Sequence, residues 1–100
     1  MKVVREEIFG PVVCSSPITD ADCQANNTTY GLAASVWTRD IPKANKLAKR
    51  IRAGTVWINC HNVFDASLPF GGYKESGWGR EMGEFVLNNY NEVKAVTTAL

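Results

Sequence analysis

Two apolar runs of strand length, Leu32–Thr38 (LAASVWT) and Thr55–Asn59 (TVWIN), flank one amphipathic segment, and no other feature constrains the fold as much. Neither run alternates polar with apolar residues, so each predicts a strand covered on both faces. Between them, Asp40 is placed as an N-cap. Pro42 falls in the first helical turn, where its missing N–H costs little. Ile41, Ala44, Leu47, Ala48 and Ile51 recur on one face of this helix, and Lys43, Lys46, Lys49, Arg50 and Arg52 line the other. Gly54 stands where a C-cap glycine is expected.

The flanking sequence extends the alternation. Pro11–Cys14 reads as a short strand running on towards Ile18, and Thr19 or Asp20 caps a short helix through about Asn26. Beyond Asn59 lies a long irregular stretch, Cys60–Gly79, rich in Gly and Pro and of the kind usually kept for function. A short helix from about Arg80 to Asn88 follows, and then a terminal edge strand, Glu92–Thr98. The order strand, helix, strand, helix, strand predicts an α/β fold with a mostly parallel, helix-covered sheet.

Composition narrows the function classes. One hundred residues make at most one domain, and a 45% hydrophobic share with 21% charged residues belongs to a folded protein. The net charge of +1 gives no electrostatic reason to expect nucleic acid or an anionic membrane as partner. The basic stripe of the central helix therefore reads as a solvated face. No apolar run reaches bilayer length, and MKVVREE turns acidic before any signal-peptide core begins. Cys14, Cys23 and Cys60 form no CxxC pair. With no leader this points to a reducing, cytoplasmic setting, where the Asn26-Asn27-Thr28-Thr29 sequons are accidental.

Individual motifs carry little chemistry alone. Gly77-Trp-Gly79-Arg-Glu-Met-Gly83 fails the GxGxxG dinucleotide pattern, because its third glycine is one position late and no strand immediately precedes it. Cys60-His61 would need the histidine aimed at the thiol, whereas neighbours at a strand end point apart. No metal-ligand spacing is present. Phe64 and Phe70, within HNVFDASLPFGG, read either as the wall of an apolar pocket or as anchors of a long loop. REEIFGPVV places two carboxylates, Glu6 and Glu7, ahead of an aromatic and a Gly-Pro corner, more than a simple strand start requires.

Taken in order, REEIFGPVV, NNTTYGLAASVWTRD, AGTVWINC, PFGGYKESGWGRE and NEVKAV resemble the C-terminal part of NAD(P)-dependent aldehyde dehydrogenases over essentially the whole chain. The nearest likeness is to the broad group of acetaldehyde-, betaine-aldehyde- and phenylacetaldehyde-type enzymes. The resemblance implies that residues 1–91 belong to the α/β catalytic domain and that residues 92–100 form an oligomerisation strand and tail. It implies that the Glu7 carboxylate binds the nicotinamide-side ribose hydroxyls of NAD or NADP, with Phe9 beside the nicotinamide ring. Gly10-Pro11 would turn both side chains into the cleft. Phe64 and Phe70 become walls of the aldehyde tunnel, with Asn62 and Asp65 near its mouth. Arg80 and Glu92 join an ion-pair network at the subunit contact, and Val93 and Val96 lie on the strand added to a neighbouring subunit's sheet in a dimer or tetramer.

The same resemblance places the cysteine nucleophile, the glutamate base, the oxyanion-hole asparagine and the dinucleotide domain upstream of this segment. Cys14, Cys23 and Cys60 do not match the nucleophile, so no catalytic residue is assigned here. The expectation is a portion of an enzyme oxidising an aldehyde to a carboxylic acid, inactive as an isolated piece. The alternative is a catalytically inactive module that serves only in structure and assembly.

Overall fold

The computed structural model describes residues 1–100. Helix α1 (Lys2–Arg5) is a single turn, and α2 (Ala21–Asn26) starts where Asp20 accepts a hydrogen bond from the Cys23 N–H at 3.1 Å. Strands β1 (Tyr30–Gly31) and β2 (Ala33–Val36) follow. Helix α3 (Ile41–Arg50) is capped by Asp40, whose carboxylate accepts from the Lys43 N–H at 3.0 Å. Strand β3 (Thr55–Ile58), strand β4 (Tyr73–Lys74) and a 3-10 helix (Glu84–Asn89) complete the chain.

The predicted central unit is present. Strands β2 and β3 pair in parallel, with Ala33 opposite Thr55 and Ser35 opposite Trp57, and α3 is the crossover between them. Ala44, 0% exposed, is the most buried residue of α3, which packs on both β2 and β3. Two-sided helical cover is not found: the sheet has two strands, α3 packs on it, the loop after β3 covers Trp57, and Leu32 and Trp37 stay exposed. Nor is the remaining pairing parallel. Tyr30–Gly31 and Tyr73–Lys74 form an antiparallel pair, held in place by the Gly31 N–H donating to Ser76 Oγ at 2.9 Å.

Other expectations are corrected by local geometry. Helix α3 ends at Ile51 in extended backbone, without a left-handed cap. Gly54 serves a different need, because a Cβ there would collide with the Gly71 carbonyl. Pro11–Cys14 has no strand: Phe9 is left-handed (φ 53°) and the Val12 N–H turns back to the Gly10 carbonyl at 2.7 Å. The helix expected from Arg80 begins only at Glu84. Glu81 is bridged to Phe70 by two backbone hydrogen bonds of 2.7 and 2.8 Å, and Met82 (φ 62°) and Gly83 (φ 59°) break the helical path.

Residues 92–98 carry no strand, and Val93 and Val96 are exposed. A strand is defined by its ladder, and this segment pairs with no other part of the chain. Only five of the 100 residues are buried, and the Cα radius of gyration is 17.9 Å, against about 13 Å for a compact domain of this length. No helix is long and apolar enough to cross a membrane.

Candidate cofactor edge and aromatic pocket

Two concave regions contain predicted site residues. The first is an open groove of about 540 Å³ between the N-terminal segment and the β1–β4 pair. Glu6 and Glu7 stand on one wall, and Thr28, Tyr30, Glu75 and Ser76 on the other. The β1–β4 pairing forms the second wall, with the Glu75 N–H donating to the Thr29 carbonyl at 3.0 Å. Lys74 caps the carbonyl end of α2 from the same pair, its Nζ donating to the Asn26 and Thr28 carbonyls at 3.1 and 3.0 Å.

Glu7 is exposed and takes part in no ion pair, the one in the chain joining Arg50 to Asp22, although Arg5 lines the same groove. Two free oxygens on one group suit a vicinal diol, which offers two donors. Phe9 is 94% exposed, in left-handed backbone (φ 53°), and does not line that groove. Of the two residues expected to face one cleft, only Glu7 lines the groove.

The second region is a pocket of about 250 Å³ at the end of β3. Here Phe64 and Phe70 do come together, edge to face at 5.2 Å and 80°. Phe64 also meets Trp57 at 5.7 Å and 90°, and the buried Trp57 indole N–H donates to the Val63 carbonyl at 2.8 Å. The two readings of these phenylalanines therefore coincide: the contact that anchors the loop to β3 also builds the wall. Edge-to-face geometry suits rings whose edges are positive and faces negative.

The pocket rim is shaped by a turn at Asp65, whose carboxylate accepts from Ser67 Oγ at 2.6 Å and from the Ser67 N–H at 2.8 Å. These bonds, the hydroxyl first, hold the carboxyl of the exposed Asp65 below its ordinary range. Asn62 precedes this turn in left-handed backbone, φ 58°. Cys60 also lines the pocket, half-buried, whereas Cys14 and Cys23 lie on the surface elsewhere.

Arg80 does not pair with Glu92. Its guanidinium turns inward, donates to the Gly72 and Gly79 carbonyls at 3.0 and 2.6 Å, and lies 5.3 Å from the centre of the Tyr73 ring. Arg80 therefore shapes the glycine-rich turn, while Glu92 stays in solvent on the unpaired tail. Sequence reasoning missed Trp57 as the third aromatic, and Ser35 with His61 as its neighbours. The one available signal was the register of two parallel strands, which places Ser35 beside Trp57.

The sequence profile of the aldehyde dehydrogenase family matches residues 1–96. The chain is 55% identical over 100 residues to the mitochondrial aldehyde dehydrogenase of Homo sapiens, covering 97% of this chain and 19% of that protein. It is 53% identical over 103 residues to the mitochondrial benzaldehyde dehydrogenase of Antirrhinum majus, covering 100% and 19%. Its fold superposes on the NAD+ complex of an aldehyde dehydrogenase from Bacillus cereus with a TM-score of 0.89 and 52% identity, over 96% of this chain and 20% of that one. The chain spans about a fifth of the length of these relatives.

Proposed function

Since this chain belongs to the aldehyde dehydrogenase family, we propose that it forms the C-terminal portion of an enzyme that oxidises an aldehyde to a carboxylic acid with NAD or NADP. The match across residues 1–96 carries this reading. In the net reaction, aldehyde, NAD(P)+ and water give carboxylic acid, NAD(P)H and one proton. The nicotinamide group, when bound, supplies the hydride acceptor.

The residues present fit one edge of such a cofactor. The Glu7 carboxylate, in no ion pair and lining the groove, would hold the ribose hydroxyls. Phe9, exposed two residues further along the same segment, would lie beside the nicotinamide ring. Trp57, Phe64 and Phe70 exclude water from the apolar part of the aldehyde, and the Asp65 turn fixes the rim. Val93 and Val96 pair with another subunit's sheet in a dimer or tetramer, and the setting is cytoplasmic. The cysteines at 14, 23 and 60 do not act as the nucleophile, so these 100 residues alone form no NADH.

A chimaera tests the assignment. Residues 1–96 replace the matching segment of the Bacillus cereus relative, and NADH formation is followed with acetaldehyde and benzaldehyde. Activity within about tenfold of the parent is expected, one tenfold step being a change of about 1.4 kcal/mol. A folded chimaera that binds NAD+ but yields no NADH with either aldehyde would sink the proposal.

A further inference from the structure

We infer that His61 is a positioning residue for the aromatic pocket, setting the Trp57–Phe64–Phe70 stack through a hydrogen bond to Ser35. His61 Nδ1 and Ser35 Oγ lie 2.7 Å apart, and the His61 ring meets the Trp57 ring edge-on at 5.1 Å and 69°. Ser35 and Trp57 are direct partners across the β2–β3 ladder. One imidazole therefore bridges both members of a single cross-strand pair, by a hydrogen bond to one and a ring contact to the other. His61 is exposed and takes no part in the pocket wall, so its influence on a ligand passes through Trp57.

The backbone around His61 is built to bring it back over the sheet. Asn59 (φ 55°) and Asn62 (φ 58°) reverse the chain on either side. The Asn59 side chain is locked by a reciprocal pair of 2.9 Å bonds, accepting from the Thr38 N–H and donating to the Thr38 carbonyl. Two residues beyond His61, the Val63 carbonyl accepts the Trp57 indole N–H. Thr38, Ser35 and Trp57 thus hold Asn59, His61 and Val63 in succession, and only the middle tie rests on two side chains alone. Cut it, and the Trp57 ring loses its outer neighbour while Phe64 and Phe70 keep theirs.

The inference rests on the proposal that this pocket receives the apolar part of an aldehyde, and the test separates the two. The readouts are the exchange rate of the Trp57 indole N–H by NMR and the affinity for benzamide, an aromatic probe that forms no Schiff base with lysine. His61→Ala and Ser35→Ala should each speed indole exchange and weaken benzamide by about three- to tenfold, the worth of one net hydrogen bond. The double variant should be no worse than either single one, because both remove the same bond. His61→Gln, whose amide can still meet Ser35, should recover most of the loss.

A role in general stability would instead lower the unfolding midpoint without the recovery by glutamine. Unchanged indole exchange in folded His61→Ala, or additive effects in the double variant, would overturn the inference. If His61→Ala does not fold, Ser35→Ala, which removes a single oxygen, decides alone by the same exchange rate. If the unsubstituted chain binds no benzamide, the pocket assignment fails, and indole exchange still decides the role of His61.

Discussion

A methyl group placed on Gly54 would stand 1.6 Å from the carbonyl oxygen of Gly71. The start of β3 and the turn that leads to β4 therefore meet backbone to backbone, and the Gly54 N–H also donates to the Gly31 carbonyl at 3.0 Å. Gly54→Ala is expected to cost roughly 3 kcal/mol, since main-chain atoms must move apart to admit the side chain. Gly77→Ala is the contrast: its site is open, and only its φ of 109° opposes a side chain, so about 1 kcal/mol is expected. Thermal unfolding followed by circular dichroism ranks the two, and equal losses would contradict the close approach.

The Asp65 turn should loosen in acid. Its carboxyl is held down chiefly by the Ser67 hydroxyl and then by the Ser67 N–H, so its folded value lies below the ordinary 3.8. A depressed carboxylate adds stability above its unfolded value and loses it as pH falls through the folded one. Order in residues 65–68 is thus expected to be constant at neutral pH and to fade below about pH 4. Titration of the Asp65 carboxyl carbon by NMR should give a midpoint below 3.8, moving back towards it in Ser67→Ala. An unshifted midpoint in the unsubstituted chain would remove the basis for the acid-sensitive rim.

Within the chimaera, Glu7→Gln should raise the KM for the dinucleotide by about tenfold or more, as expected on losing a charge-assisted hydrogen bond. The KM for the aldehyde should change little, because Glu7 lies on the groove and not on the aromatic pocket. Steady-state kinetics with each substrate varied in turn reads both quantities. A rise confined to the aldehyde KM would place Glu7 in the wrong site.

Val93 and Val96 sit on the exposed, unpaired tail, where a second chain can add a strand. Lysine at both positions should weaken self-association by at least tenfold, since each charge must lose water on pairing. Sedimentation equilibrium of the chain and the double variant gives the masses directly. Identical association, or a folded monomer at micromolar concentration for both, would remove the role assigned to this segment.

What could be read from sequence was what local chemistry decides. Asp40, Pro42 and the apolar spacing of Ile41 to Ile51 define α3 without reference to any other part of the chain. The flanking runs gave β2 and β3 because an uninterrupted apolar stretch next to a helix has few other uses. Gly54 was misread as a cap, since its real neighbour, Gly71, is set by tertiary folding. The pairing of Tyr30–Gly31 with Tyr73–Lys74 has no periodicity to reveal it, because two-residue strands are too short to alternate.

The candidate site divides along the same line. Phe64 and Phe70 were visible as aromatics on one loop, and they do pack together. The ion-pair role of Arg80 comes from the resemblance alone, and within this chain its Nη1 donates to two carbonyl oxygens of the glycine-rich turn. Glu92 and the Val93–Val96 segment are exposed and lie in no helix or strand, so the chain's own contacts say nothing of the role the resemblance gives them.

The elongated outline, 69 × 33 × 24 Å, affects how copies of this chain can be counted. A radius of gyration of 17.9 Å is that of a compact protein of about 250 residues. In a gel-filtration column, which sorts by hydrodynamic size, one extended copy would elute ahead of a globular standard of its own mass. An early peak would then be scored as a dimer whether or not two chains had met, so light scattering at the peak must supply the number.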